Sequence, residues 1–202
     1  LLHAELLLPA VRGLLDEAGI SLNQLDAIVF GRGPGSFTSL RIGIGVVQGL
    51  AWGAELPVVP VSSLAAVAQQ LVWNCSAPLR CPAHILVAVD ARMNEVFHCT
   101  YAVDASGRLQ ELSPEEVSSP CSVHAIDPGS TTAAGNGFER YPELGALGRS
   151  LRVVHASLQP TASALLPLAE HWLRVHQALP AAQAQPVYVR NQVAIKPEME
   201  KR

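Results

Sequence analysis

Lysine is almost missing from this chain. Its 202 residues hold two, Lys196 and Lys201, both close to the C-terminal end. A nucleotide site that sets a lysine on a phosphate inside the fold is thereby excluded, the P-loop included. Charge of any kind is sparse, at 15% of residues with a formal net charge of −3, so the molecule has no basic field to grip nucleic acid unaided. The four cysteines, Cys75, Cys81, Cys99 and Cys121, form no CxxC pair and no zinc spacing, and free thiols are expected rather than a disulfide frame. No HExxH occurs among the seven histidines. His171 and His176 stand five apart and point in different directions on a helix, so no metal site is expected. A GxSxG elbow is absent as well, which removes the usual signature of a hydrolase nucleophile. No apolar run approaches the roughly 20 residues of a membrane span. Leu1–Ala10 carries Glu5 and has neither a basic start nor a cleavage site. A cytoplasmic protein away from membranes is the expectation.

Apolar residues make up 49% of the chain, enough to build a real core at this length. Leu7, Val11, Leu14, Leu15 and Ala18 recur at helical spacing, which predicts a helix from about His3 to Ala18, kinked or late-starting at Pro9. Short apolar runs predict strands at Ala27–Phe30 and Val58–Val61. Thr38–Trp52 and Ser63 to about Val72 read as helices. Asn74–Ala83 holds two prolines and two cysteines without periodicity and reads as a linker. Beyond it, Ile85–Val89 and Val96–Val103 read as strands around a solvated turn at Asp90–Glu95, and Asp104–Gly107 as a hairpin turn into Leu109–Leu112. Ser113 and Glu116 have capping-box spacing for a short helix. Val153–Val154 reads as a short strand, Thr161 as the cap of a helix running to about Leu179, and Val187–Val189 as a last strand. Alternating strands and helices followed by a hairpin-rich half predict an α/β fold in two lobes. The lobes are drawn at 1–73 and 84–202, the last helix being a candidate to cross back.

The loop Gly31–Phe37, GRGPGSF, joins a buried strand to a helix. Its glycines allow a sharp turn and bring amides close to an anion. Gly33 and Gly35, with the hydroxyls of Ser36 and Thr38 at the helix start, are candidate anion contacts. A tight, capped turn explains the same residues equally well. In the helix that follows, Gly45, Gly49 and Gly53 fall four apart, each at a cost of about 0.5–1 kcal/mol relative to alanine. The other sides of that helix are apolar, with Ile42, Val46 and Trp52 among them. Either the first helix covers the glycine side or another polypeptide packs against it.

GRGPGSFTSLRIGIGVVQGLAWGAELP, then VAVDARMNEVF, then PVYVRNQVA resemble, in this order and at similar separation, the segments of the TsaB (YeaZ) family. The resemblance spans nearly the whole chain, from His3 to about Ala194. It implies the two-lobed actin/sugar-kinase/heat-shock ATPase fold. It also implies a non-catalytic scaffold subunit for threonylcarbamoyl transfer to the adenosine beside the anticodon of tRNAs reading A-starting codons. The implied partners are the catalytic paralogue TsaD and the ATPase TsaE, with tRNA met only through the complex, and a homodimer through the same surface when TsaD is absent. The first two helices would make that surface, from His3, Leu7, Val11, Leu14, Arg41, Gly45, Val46, Gly49, Trp52 and Gly53. In the paralogue a metal-binding HxxxH pair lies on the helix after the second strand; here the matching positions are Ser63 and Val67. No cofactor of its own is implied, with ATP or ADP only at a subunit junction. Asp90, Arg92 and Glu95 match a second phosphate loop, and Gly135 and Gly137 an adenosine-contacting turn, though structural use explains both.

Two departures stand out. Ser39 replaces the family's usual glycine, which bears on how closely a partner approaches. The chain also starts at the helix that follows the family's first strand hairpin. Two other readings compete: a stand-alone nucleotide-binding, kinase-like enzyme of the same fold, and a metallopeptidase, against which the missing histidine pair argues.

Overall fold

The computed structural model describes residues 2–74 and 82–190. The helix α1 runs Leu2–Ala18 with Pro9 inside it, so the late start does not appear. β1 (Ile28–Gly33) extends through the first half of the glycine loop. It pairs in parallel with β2 (Val58–Ser62), the two joined by α2 (Phe37–Gly53). α3 (Ser63–Asn74) follows β2 directly, with the Ser62 hydroxyl accepting from the amides of Leu64 and Ala65 at 3.1 Å. Of the expected linker Asn74–Ala83, Asn74 ends α3 and residues 75–81 lie outside the described residues.

The second sheet is built on β3 (His84–Arg92) and β4 (Glu95–Val103), an antiparallel pair. β5 (Leu109–Glu111) and β6 (Glu116–Ser118) share the outer edge of β4. β7 (Thr131–Ala134) and β8 (Val153–His155) extend the other side in parallel. Two short helices, α4 (Gly137–Arg140) and α5 (Pro142–Gly148), connect them; β7 and both helices went unread in the sequence. The predicted helix after Ser113 is instead the strand β6. The Ser113 hydroxyl accepts from the Thr100 amide at 3.0 Å, so it anchors a sheet edge and caps nothing.

α6 (Ala162–Val175) crosses back to the first sheet, where Ala164, Leu165 and Ala169 pack with Val59, Val61 and Ala66. It ends at Val175, not Leu179, and Val175 is exposed. Leu179 has left the helix to exchange two backbone hydrogen bonds with Val58 at 2.8 and 2.9 Å, covering that strand's free edge. On its other side α3 joins the second sheet, with Leu64, Val67 and Leu71 against Ile85, Val87 and Cys99. One helix thus serves two sheets. Val187–Val189 is extended but is not a strand; its one ladder-like bond runs from the Val187 amide to the Arg32 carbonyl at 2.8 Å.

Candidate functional site

α2 has two unlike faces. Ile44 and Ala51, two turns apart, are buried in a cluster with Phe30, Val58 and Ala184. On the side turned away, Gly45, Gly49 and Gly53 are exposed, and among the described residues a Cβ built on any of them meets nothing within 4 Å. Trp52 beside them is 74% exposed. α1 lies along a neighbouring flank, and the groove between the helices is lined by Leu6, Leu7 and Ala10 from one side and Ser39, Ile42 and Gly43 from the other. The glycine stripe is therefore not covered by α1. Leu7, Val11 and Val46 are half-buried, while Leu14 is exposed. His3 lies on α1 with its side chain outside the described set. Leu6 and Leu8 are exposed on α1 too. They fall outside the helical stripe that singles out Leu7, Val11 and Leu14, which is why periodicity passed over them.

Between the lobes lies a cleft of about 820 Å³, reached by Gly35, Ser36 and Thr38 from the first and by Asp90, Arg92 and Asn136 from the second. Gly33 is buried beside it with φ +101°, a conformation that favours glycine. Ser36 is the N-cap residue of α2 but makes no side-chain capping bond, and its hydroxyl pairs with that of Ser39 at 3.2 Å.

The turn at Asp90–Glu95 carries an ion pair, Arg92 Nη1 to Asp90 Oδ2 at 3.5 Å, and residues 92–94 are exposed as expected, but the carboxylate itself is not solvated. Asp90 keeps only 6% of its side chain exposed. It accepts from the Tyr141 hydroxyl at 2.7 Å and the Arg92 amide at 2.9 Å, and Arg140 Nε approaches to 3.1 Å. Burial alone would raise its carboxyl pKa, but the Tyr141 and Arg92 hydrogen bonds and the charges of Arg140 and Arg92 together hold it below the ordinary value. Tyr141 and Arg140 come from a segment some 50 residues away, which no local pattern connects to Asp90. Glu95 is ion-paired with Arg190. Gly135 and Gly137 serve packing: a Cβ on either would come within 2.3 and 2.9 Å of the Ala88 carbonyl. The fold family implies a nucleotide in such a cleft. The residues present do not fit one well, since the carboxylate is already held by this chain's own cations and the two glycines face β3.

Among the described residues no cluster of histidine, cysteine, aspartate and glutamate could hold a metal. Ser63 and Val67 lie on α3 as expected, and Val67 is fully buried. No helix of the described residues is long and apolar enough to cross a membrane. Burial pushes the Cys99 thiol up to about 12, and Cys121 is a free thiol at the surface.

Two lobes with a shared helix, a cleft between them and a glycine turn on its floor define a protein of the actin/sugar-kinase/heat-shock ATPase class. Residues 2–142 match the family described as TsaD, tRNA N6-adenosine threonylcarbamoyltransferase. The tRNA threonylcarbamoyladenosine biosynthesis protein TsaB of Escherichia coli (strain K12) is 38% identical over 197 residues, covering 96% of this chain and 83% of that protein. The protein of the same name from Haemophilus influenzae is 34% identical over 96% of this chain and 82% of its own length. YeaZ from Pseudomonas aeruginosa superposes with a TM-score of 0.82 at 42% identity, covering 93% of this chain and 84% of that one. The chain belongs to the TsaB (YeaZ) family.

Proposed function

We propose that this chain takes part in tRNA threonylcarbamoyladenosine biosynthesis, the role its relatives are named for, and does so as a non-catalytic subunit. Its task is to bind the catalytic paralogue TsaD, and with it the ATPase TsaE, through α1 and α2. In the absence of TsaD the same face pairs two copies of the chain.

The observation that carries this reading is the uncovered face of α2. Gly45 and Gly49 inside the helix weaken it by about 0.5–1 kcal/mol each, and no described residue packs into the space that they and the terminal Gly53 leave. Trp52 and Leu14 stand exposed on the same two helices. Burying such a side chain against a partner returns about 1.5–3 kcal/mol, so a docked polypeptide recovers what the free chain lacks. Chemistry is assigned to the partner because Ser63 and Val67 stand where the resemblance places the paralogue's metal-binding histidines, and neither can replace an imidazole on a metal.

Gly49→Leu tests the assignment. It fills the stripe with a branched side chain that the free monomer has room for. Light scattering after size exclusion is expected to show the parent as a dimer and the variant as a monomer. Titration against TsaD should weaken at least tenfold, a loss of about 1.4 kcal/mol, with the far-ultraviolet dichroism unchanged. A variant that dimerises and binds TsaD like the parent would remove the face from the interface.

A further inference from the structure

The three sequence segments that carry the family resemblance meet at one place, and they meet across the cleft. Residues 184–190 leave the first lobe and end on the second. The Ala184 carbonyl accepts from Gln48 Nε2 at 2.8 Å, and the Val187 amide donates to the Arg32 carbonyl at 2.8 Å. The Tyr188 hydroxyl accepts from Arg41 Nε at 2.9 Å. That guanidinium lies 3.8 Å over the Phe37 ring, and Phe37 and Tyr188 have ring centroids 5.4 Å apart. Each of these hydrogen-bond and ring partners belongs to β1 or α2.

Two residues later the partners change lobe. Arg190 donates to the Ala91 carbonyl at 3.0 Å and to Met93 Sδ at 3.4 Å, and it is ion-paired with Glu95. Ala91 lies at the end of β3, Met93 in the turn that follows and Glu95 at the start of β4. That turn holds Arg92, Met93 and Asn94 at φ between 54° and 62°, an unfavourable run for residues with side chains. Arg190 is itself mostly buried. A charge removed from water to that extent is held by its partners or not at all. Arg32 makes a second crossing nearby: its carbonyl receives Val187 while its Nη1 meets Glu115 Oε2 of the second lobe at 2.9 Å. Glu115 is 7% exposed and also accepts from the Ser62 hydroxyl.

We propose that residues 187–190 are a strap that fixes the angle between the lobes, with Tyr188 and Arg190 as its positioning residues. Releasing the Arg190 end loosens the Tyr188 end as well, and with it the first turn of α2 at Phe37–Arg41. This goes beyond the assignment of a partner and does not depend on it, since the tie exists within one chain.

Hydrogen–deuterium exchange on the full chain tests the strap. Arg190→Ala should raise exchange about tenfold at the Val187 amide and across residues 36–41, in addition to residues 91–95. Tyr188→Phe keeps the ring and removes only the hydroxyl that Arg41 meets; a smaller rise, confined to 36–41 and 187–189, is expected. Glu95→Gln provides the milder cut at the second-lobe end should Arg190→Ala fail to fold. The strap is overturned if Arg190→Ala or Glu95→Gln speeds exchange only at residues 91–95 and leaves 36–41 and Val187 at parental rates.

Discussion

Asp90 shows how a single side chain can be turned from ligand-binding to structural use. Its carboxylate faces Tyr141, the Arg92 amide and two guanidiniums at once, while the Asn136 side chain accepts from its backbone amide at 2.9 Å. These contacts fasten α4 to the end of β3. Because the folded pKa lies below the ordinary value of 3.8, ionised Asp90 contributes stability that is complete above the unfolded pKa. That contribution fades as pH falls through the lowered folded value. Asp90→Asn should therefore cost about 1–3 kcal/mol at pH 7, the range for a hydrogen-bonded charge. The gap to the parent should narrow as the pH drops below 3.8. Urea midpoints for both proteins at pH 7, 5 and 3 measure this. A gap that stays constant over that range would mean the carboxylate's charge is not what fastens the turn.

At the scale of the element, α2 carries the contrast between what a chain needs for itself and what it offers outward. Its inward residues Ile44 and Ala51 are those of an ordinary buried helix, and its outward glycines have no described residue before them. Gly49→Ala should accordingly stabilise the isolated chain by about 0.5–1 kcal/mol. Thermal melts at concentrations where the midpoint does not depend on protein concentration are the right measurement, since any association changes apparent stability by mass action. A loss of stability would show that the stripe is needed by the monomer. Elements like α2 were readable because period and burial agree along one stretch of chain: α1, β1, β2 and α3 all appear near their expected bounds. Ser113–Glu116 was misread because a local capping pattern was overridden by a distant edge. β4 offers unpaired backbone to Glu116–Ser118 at Val96–His98, and the Thr100 amide takes the hydroxyl that would have capped a helix. The end of α6 failed similarly, since Leu179 gains two backbone bonds on Val58 by leaving the helix. The cleft was legible only as separate motifs. Arg190 meets Glu95 and Arg41 meets Tyr188 across 95 and 147 positions, distances over which period and spacing carry no signal.

For the whole molecule, the question is whether the cleft between the lobes is a working nucleotide site. Its volume is adequate, but its chemistry is already committed. Asp90, the carboxylate that could hold a nucleotide-bound divalent cation, is held by Arg140 and Arg92. Gly135 and Gly137 spend their missing side chains on the approach of the Ala88 carbonyl. The strap from Val187 to Arg190 lines the same space. A kinase-like enzyme of this fold would instead leave those groups free for phosphate and metal. The two readings differ measurably. A chain binding Mg-ATP with a dissociation constant of roughly 10 µM gains about 2.7 kcal/mol at a hundredfold excess over that constant. For a protein of this size that raises the melting temperature by about 5–10 °C. The expected shift for this chain alone at millimolar Mg-ATP is under a degree. If Asp90 is what closes the site, mixing with TsaD could restore nucleotide binding only by drawing Arg140 or Arg92 away from it. The experiment is therefore run with and without TsaD. A multi-degree shift in the isolated chain would return the self-sufficient enzyme as the better reading.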